Sequence, residues 1–266
     1  MERPSWVPED VDVERPSIAR VYDYYLGGSH NFAADREFAD QVLRVLPEAT
    51  TAAQQNRAFL RRAVQYLCAA GIRQFIDLGS GIPTVGNVHE VAQAAAPDAR
   101  VVYVDLDPVA YAHSRAILAD NPHATVIRAD LRKPGDVLAD PQLRDHIDFD
   151  RPVGILLVAV LHFVPDSERP ADIVASYSAA TAPGSHVVVS HATDEGMTKA
   201  GAEVVRLYNR SSRTVVTRSA AQLTAWMDGL SLVDPGVVNI ADWRPDSPED
   251  AAGTRIPGLA VVAKRR

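Results

Sequence analysis

Three aspartates close short apolar runs in the sequence. They are Asp77 in Phe75-Ile76-Asp77-Leu78-Gly79-Ser80-Gly81, Asp105 in Val104-Asp105-Leu106-Asp107-Pro108, and Asp130 in Arg128-Ala129-Asp130-Leu131. Glycines after a strand and before a helix let a ligand approach the backbone closely. A carboxylate just ahead of them, at Asp77, would repel a pyrophosphate but could pair with a cationic group. The loop therefore suits a nucleoside carrying positive charge. A dinucleotide fingerprint would also place Gly or Ala three residues after Gly81, where this chain has Thr84 behind Pro83. Asp105 stands about where an α/β nucleotide site sets a carboxylate for the ribose hydroxyls. Asp107, ahead of Pro108, better suits a helix N-terminal acid. With two companions at successive run ends, Asp130 reads as an acceptor for an adenine amino group.

These residues need strands that end at one edge, and the surrounding pattern supplies them. From Gly71 onward, β-rich runs at Gln74–Leu78, Arg100–Asp105, Ala124–Arg128, Val153–Val160 and His186–Ser190 alternate with helical stretches such as Asn87–Ala96, Pro108–Asp120 and Pro170–Ala182. Such alternation predicts a parallel sheet covered on both faces, and near-continuous apolar strands agree with it. Two further β-like runs, Leu230–Ile240 and Gly258–Lys264, are joined by a loop holding Pro245, Pro248 and Pro257, and predict an antiparallel hairpin. Upstream, helices are predicted over Pro16–Leu26, Ala33–Leu46 and Thr50–Ala70. In the last of these Phe59, Leu60, Ala63, Val64 and Leu67 fall on one helical face.

The chain has 266 residues, with 27 Lys+Arg against 34 Asp+Glu for a formal charge of −7. That balance offers no general attraction to nucleic acid or anionic lipid. Cys68 is the one cysteine, which leaves no intrachain disulfide or cysteine-based zinc site. No His/Asp/Glu group has metal-ligand spacing, so no metal is expected. The longest apolar run, near Val153–Leu161, is far too short for a membrane span, and no signal peptide is visible. A cytoplasmic protein is expected.

The succession D-L-G-S-G, V-D-L-D and A-D-L resembles the class I S-adenosylmethionine-dependent methyltransferases, from about Gly71 to the C-terminus. The N-terminal run ARVYDYYLGGSHNFAADREFAD, followed by TTAAQQNRAFLRRAV, resembles a narrower group. This is the S-adenosyl methyltransferase family first catalogued as a domain of unknown function. The resemblance implies S-adenosylmethionine as cofactor. It places Asp77 near the methionine ammonium, Gly79 and Gly81 against the cofactor, Asp105 on the ribose and Asp130 on the adenine. Leu106, Leu131 and Val160 adjoin them at the same strand ends. The chain departs from the class at Ile82-Pro83, where many members have a third glycine.

Methyltransferases of exocyclic amines on nucleic-acid bases carry N/D-P-P-Y/F/W after strand four. This chain has Val158-Ala159-Val160-Leu161-His162 there, which argues against a nucleic-acid acceptor. A hydroxyl acceptor needs a base for its proton, and His162 and His191 are the candidates. The tract Tyr22–Phe32 crowds Tyr22, Tyr24, Tyr25 and Phe32 around Gly27-Gly28-Ser29-His30-Asn31, a composition suited to a lid. Tyr22, Tyr25, Asn31 and Phe32 are therefore expected to bind the acceptor, with Asn56 and Arg57 as weaker candidates. The expected architecture is α/β, a Rossmann-like doubly wound, mostly parallel seven-stranded sheet with a C-terminal antiparallel hairpin and an N-terminal helical cap. Its parts are a mobile leader over 1–15, a cap or lid over 16–70 and a methyltransferase domain over 71–266. The expected activity is methyl transfer to a small-molecule oxygen or nitrogen nucleophile. The alternatives are an NAD-dependent oxidoreductase, which Asp77 and Thr84 disfavour, and a non-catalytic S-adenosylmethionine-binding protein.

Overall fold

A computed structural model of the chain describes residues 11–83, 86–211, 214–247 and 255–266. Thr84, Pro248 and residues 1–10 of the expected leader lie outside them. The strands are β1 (Gln74–Leu78), β2 (Arg100–Asp105), β3 (Ala124–Arg128), β4 (Gly154–Val158), β5 (His186–Ala192), β6 (Leu230–Leu232), β7 (Val238–Asn239) and β8 (Gly258–Arg265). They form one sheet in the order β3-β2-β1-β4-β5-β8-β6, with β7 also paired to β8. The first five are parallel, and β8 runs antiparallel to β5. Strand order reverses between β1 and β4, so a crevice opens at their carboxyl ends, where α/β sheets bind ligands.

The helices are α1 (Ile18–Tyr25), α2 (Ala33–Val45), α3 (Ala49–Ala69), α4 (Val88–Ala95), α5 (Pro108–Ile117), α6 (Pro134–Ala139), α7 (Pro141–His146), α8 (Pro170–Ala179), α9 (Lys199–Arg210) and α10 (Ala220–Trp226). Adjacent strand residues serve opposite faces of the sheet. Ile76, Val102, Ile155 and Val187 pack with Tyr177 and Leu223 on one side. Phe75, Val101, Leu156 and Val188 pack with Phe59, Leu67 and Trp243 on the other. Cys68 is buried within that second layer, as a small apolar side chain. None of the helices among the described residues is long and apolar enough to cross a membrane.

Among the described residues the sheet has eight strands rather than the expected seven. The run Leu230–Ile240 is not one strand of a hairpin but two short ones, β6 and β7, both antiparallel to β8. Pro235 lies between them and has no N–H to give a ladder, and Gly236 donates back to Val233 O in a turn.

The helical cap is also built differently from a simple N-terminal extension. α3 lays Phe59, Ala63, Val64 and Leu67 on the sheet, and only its first turns, at Ala49 and Ala53, join α1 and α2. In its place α9, from far downstream, packs Val204, Leu207 and Tyr208 against the α1–α2 cluster. The end of the leader is held down. Val11 is buried against Ile82, Val109 and Ala110, and Arg20 donates to the carbonyls of Asp12 and Arg15.

Candidate active site

β1 delivers Asp77 to the crevice, buried at 5% exposure, and ends at Leu78. The chain then turns through Gly79 (φ 73°) and Gly81 (φ 68°), a left-handed conformation that favours glycine. A Cβ on Gly79 would stand 2.4 Å from Val160 Cγ2, so the loop passes hard against the exit of β4. Gly79 N–H donates to Val104 O at 2.7 Å, which ties the loop to β2.

Asp105, at the end of β2, has a second duty that sequence reasoning did not reach. Its Oδ2 accepts from Gly81 N–H at 2.7 Å and its Oδ1 from Asp107 N–H at 2.8 Å. The carboxylate thereby fixes the glycine loop, and each oxygen keeps a further lone pair for a ligand hydroxyl. Asp107 caps α5 by accepting from Val109 and Ala110 N–H, as its place before Pro108 suggests. Beyond β3, Arg132 grips both oxygens of Asp130 at 2.7–3.1 Å and holds its carboxyl below the usual range. An adenine amino group there would share Asp130 with Arg132.

Burial acts in the opposite direction on the other two carboxyls. It pushes Asp77 up to about 7, with nearby Arg57 opposing and Asp105 adding, and it pushes Asp105 up to about 6. At neutral pH, Asp77→Asn should therefore leave the melting temperature without ligand unchanged or higher, because it removes the cost of burying a charge. Affinity for a cationic ligand should fall in the same variant, read by calorimetry. A large loss of stability with binding intact would make Asp77 a structural acid.

The exit of β4 is strained. Ala159 adopts φ 54°, unusual for a residue with a side chain. Ala159 N–H donates to Ser190 Oγ at 2.9 Å, and Ser190 Oγ–H donates to Asn56 Oδ1 at 2.5 Å. Asn56 Nδ2 in turn donates to the Tyr22 hydroxyl at 2.9 Å, and that hydroxyl donates to Ala53 O at 3.1 Å. A chain of bonds thus runs from the strand tip through α3 to α1. Asn56 had a legible signal, since it sits between Ala53 and Leu60 on the buried face of α3, where a polar residue must find partners.

The two histidines follow the strands as expected, but neither is set up to hold a proton. Arg218, which sequence reasoning missed, is 1% exposed and donates to His191 Nε2 at 2.9 Å. His191 Nδ1–H donates to Ala192 O at 2.7 Å, so both ring nitrogens are taken. Burial, aided by the Arg218 charge, pushes His191 down to about 4. In this arrangement neither ring nitrogen of His191 is open to take a proton from an acceptor. Burial, reinforced by His191 and Arg218, pushes His162 down to about 3, and its Nδ1 has no partner. His162 stays neutral and is free to accept a hydrogen bond.

One cavity of about 1160 Å3 collects these groups. Asp77, Gly79, Gly81, Asp105, Leu106, Asp130, Leu131, Val160, His162, His191, Tyr22 and Tyr25 all line it, as do Asn56 and Arg57. Leu106 is 44% exposed there, an apolar surface left open on the crevice. Asn31 and Phe32 do not line it, contrary to expectation. Asn31 Nδ2 donates to Asp23 Oδ2 and Gly28 O, which folds the glycine-rich segment on itself. Phe32 packs into the Val11, Ile82 and Val109 cluster, beneath the Arg20 guanidinium.

The volume exceeds that of a usual single-ligand pocket, which leaves room for two molecules side by side. A close-approach glycine loop, a partly buried carboxylate at the next strand end and an apolar shelf at Leu106 fit a nucleoside cofactor. The comparisons with known proteins agree. The chain is 41% identical to a candidate methyltransferase from Thermobifida fusca YX, over 99% of this chain and 100% of that one, with a TM-score of 0.93. It is 37% identical to a DUF574 family protein from Streptomyces avermitilis MA-4680, over 96% and 99% of the two chains, with a TM-score of 0.92. Human N-acetylserotonin methyltransferase in complex with S-adenosylmethionine, at 13% identity and a TM-score of 0.52 over 95% of this chain and 63% of that one, shares the fold alone. None of the curated proteins compared with the chain matches it. A family described as S-adenosyl methyltransferase matches residues 4–266, and the chain belongs to that family.

Proposed function

We propose that the protein transfers the methyl group of S-adenosylmethionine to an oxygen or nitrogen nucleophile of a small molecule by direct displacement. The single observation that carries this reading is the shared cavity, in which the strand-tip carboxylates and the helical cap face one space. When bound, S-adenosylmethionine supplies a methyl group on a positively charged sulfur, already activated for displacement. The chain's residues are left with binding, alignment and exclusion of water. In this reading Asp105 accepts the ribose hydroxyls, Asp130 the adenine amino group, and Asp77 faces the methionine ammonium. Leu106, Leu131 and Val160 give the nucleoside its apolar contacts.

His162 is the neutral acceptor for a hydrogen bond from the nucleophile; it orients that group, the sulfur leaves as the neutral thioether of S-adenosylhomocysteine, and the proton shed on methylation passes to solvent water. A net charge of −7 supports a small acceptor over a nucleic acid. Nothing in the comparisons supports the oxidoreductase alternative. The test is calorimetry with S-adenosylmethionine, S-adenosylhomocysteine and NAD, followed by release of S-adenosylhomocysteine in the presence of a metabolite extract. Binding of the first two without NAD, together with release, is the expected result. Binding without release under any extract would favour a non-catalytic sensor, and NAD binding would overturn the reading.

A further inference from the structure

We propose that the acceptor, apart from its nucleophile, is an uncharged and largely apolar molecule, held between the cap helices and α9. The inference rests on the methyl-transfer reading above. α1, α2, the first turns of α3 and α9 share one apolar cluster, and that cluster forms a wall of the cavity through Tyr22, Tyr25, Val42, Ala53, Val204 and Tyr208. α9 is informative by itself. Arg206 and Arg210 both pair with Glu203 on its outer side. Its apolar side carries Val204, Val205, Leu207 and Tyr208, yet Gly201 is the helix's one fully buried residue. A helix with an apolar stripe ordinarily buries it against protein. Here Val204 and Tyr208 are only partly covered by the α1–α2 cluster and, with Val205, also border the cavity, so an apolar ligand would complete their burial.

The charges in the cavity lie elsewhere. Asp77, Asp105 and the Asp130–Arg132 pair stand at the strand ends, Arg57 on α3 acts on both Asp77 and Tyr22, Arg20 is tied to Asp35 at 2.8 Å, and Asp12, Arg15, Glu48 and Arg255 are exposed. The polar atoms that this wall offers are hydroxyls. Tyr25 and Tyr208 oxygens lie 3.5 Å apart, and the Tyr22 hydroxyl is already bonded to Asn56 and Ala53. Burial pushes all three phenols up, so they stay neutral. A carboxylate or ammonium carried in among Val42, Val204 and Tyr208 would lose its hydration, and the Arg57 charge, which reaches Tyr22, is already engaged by Asp77.

The test uses two probes of one ring system, 2-naphthol and 6-hydroxy-2-naphthoate, titrated into the full-length protein saturated with S-adenosylhomocysteine. 2-Naphthol should bind roughly tenfold tighter or more. Val204→Lys, which gives a carboxylate its counter-charge, should abolish that preference, while affinity for S-adenosylhomocysteine, titrated separately, stays at the wild-type value and reports an intact fold. Val204→Thr, which keeps the shape, should weaken 2-naphthol alone, by roughly threefold. Equal affinity for the two probes, tighter binding of the naphthoate, or no binding of either would overturn the inference. Failure to bind S-adenosylhomocysteine at all would overturn the methyl-transfer reading on which it rests.

Discussion

Replacing Arg218 with methionine should lower the stability of the protein by roughly 3–5 kcal/mol. Arg218 lies between α9 and α10 and uses its fork on three separate elements. It donates to Leu161 O at 3.2 Å and Val164 O at 2.8 Å, to Asp166 Oδ1 at 2.7 Å and to His191 Nε2 at 2.9 Å. Its guanidinium also lies 4.9 Å from the Trp226 ring centre. Asp166 is 75% exposed and would be rehydrated, so little of the loss comes from that ion pair. The cost arises from the buried carbonyls and the histidine nitrogen left without a donor. Arg218→Lys should recover only part of it, since an ammonium cannot span the same acceptors. Chemical denaturation reads the loss, and a change below about 1 kcal/mol would show that these bonds contribute little.

A second readout separates this role from packing. Without the Arg218 charge, and with Nε2 open, His191 should titrate closer to the ordinary imidazole range, which NMR of the ring would follow. In the wild type, burial keeps His191 and His162 neutral in the folded state, at about 4 and about 3. Because these folded values are depressed, their contribution to stability is present above the unfolded value near 6.5. It is lost as pH falls through about 4 and about 3.

The other large effect belongs to Asp105. Asp105→Ala should weaken cofactor binding by about ten- to a hundredfold, equivalent to roughly 1.5–3 kcal/mol for charge-assisted bonds to a buried ligand. Two losses combine. The ribose hydroxyls lose their acceptor, and the N–H groups of Gly81 and Asp107 lose the carboxylate that fixes the loop. Asp105→Asn separates them in part, because an amide oxygen can still accept from one N–H.

The pH dependence has opposite signs for stability and for binding. Burial raises the folded values of Asp105 to about 6 and Asp77 to about 7. Their contribution to stability without ligand is therefore full below the unfolded value near 3.9, and is lost as pH rises through about 6 and about 7. Cofactor affinity should rise over the same window, because the ionised carboxylates are the better acceptors. Calorimetry between pH 5 and 8 checks the binding half, with Asp105→Ala losing the step near 6. Wild-type affinity in Asp105→Ala at pH 8, where the carboxylate is ionised, would sink the assignment.

The alternation of β-rich and helical runs was legible because the strands from β1 to β5 are short, mostly apolar segments, and β1, β2 and β3 run into Gly79, Asp105 and Asp130, residues that tolerate a turn. Asp77, Asp105 and Asp130 could be placed together for the same reason: parallel strands of one doubly wound sheet finish at one edge. The N-terminal tyrosines were legible only as a group. Tyr22 and Tyr25 reach the cavity because they lie on one side of α1, whereas Asn31 and Phe32 follow a loop whose own hydrogen bonds turn them away. Sequence periodicity is local and carries no record of which distant surface meets which. Hence the recruitment of α9 to the cap and the chain from Ser190 through Asn56 to Tyr22 were decided only by tertiary packing. Arg218 is the clearest case. Its own segment has no regular pattern, and its partners Leu161, Val164, Asp166 and His191 become neighbours only when β4 and β5 lie side by side. Whether a histidine beside a ligand is a base or a strut depends on the donors around its ring, and those donors come from parts of the chain that only folding brings together.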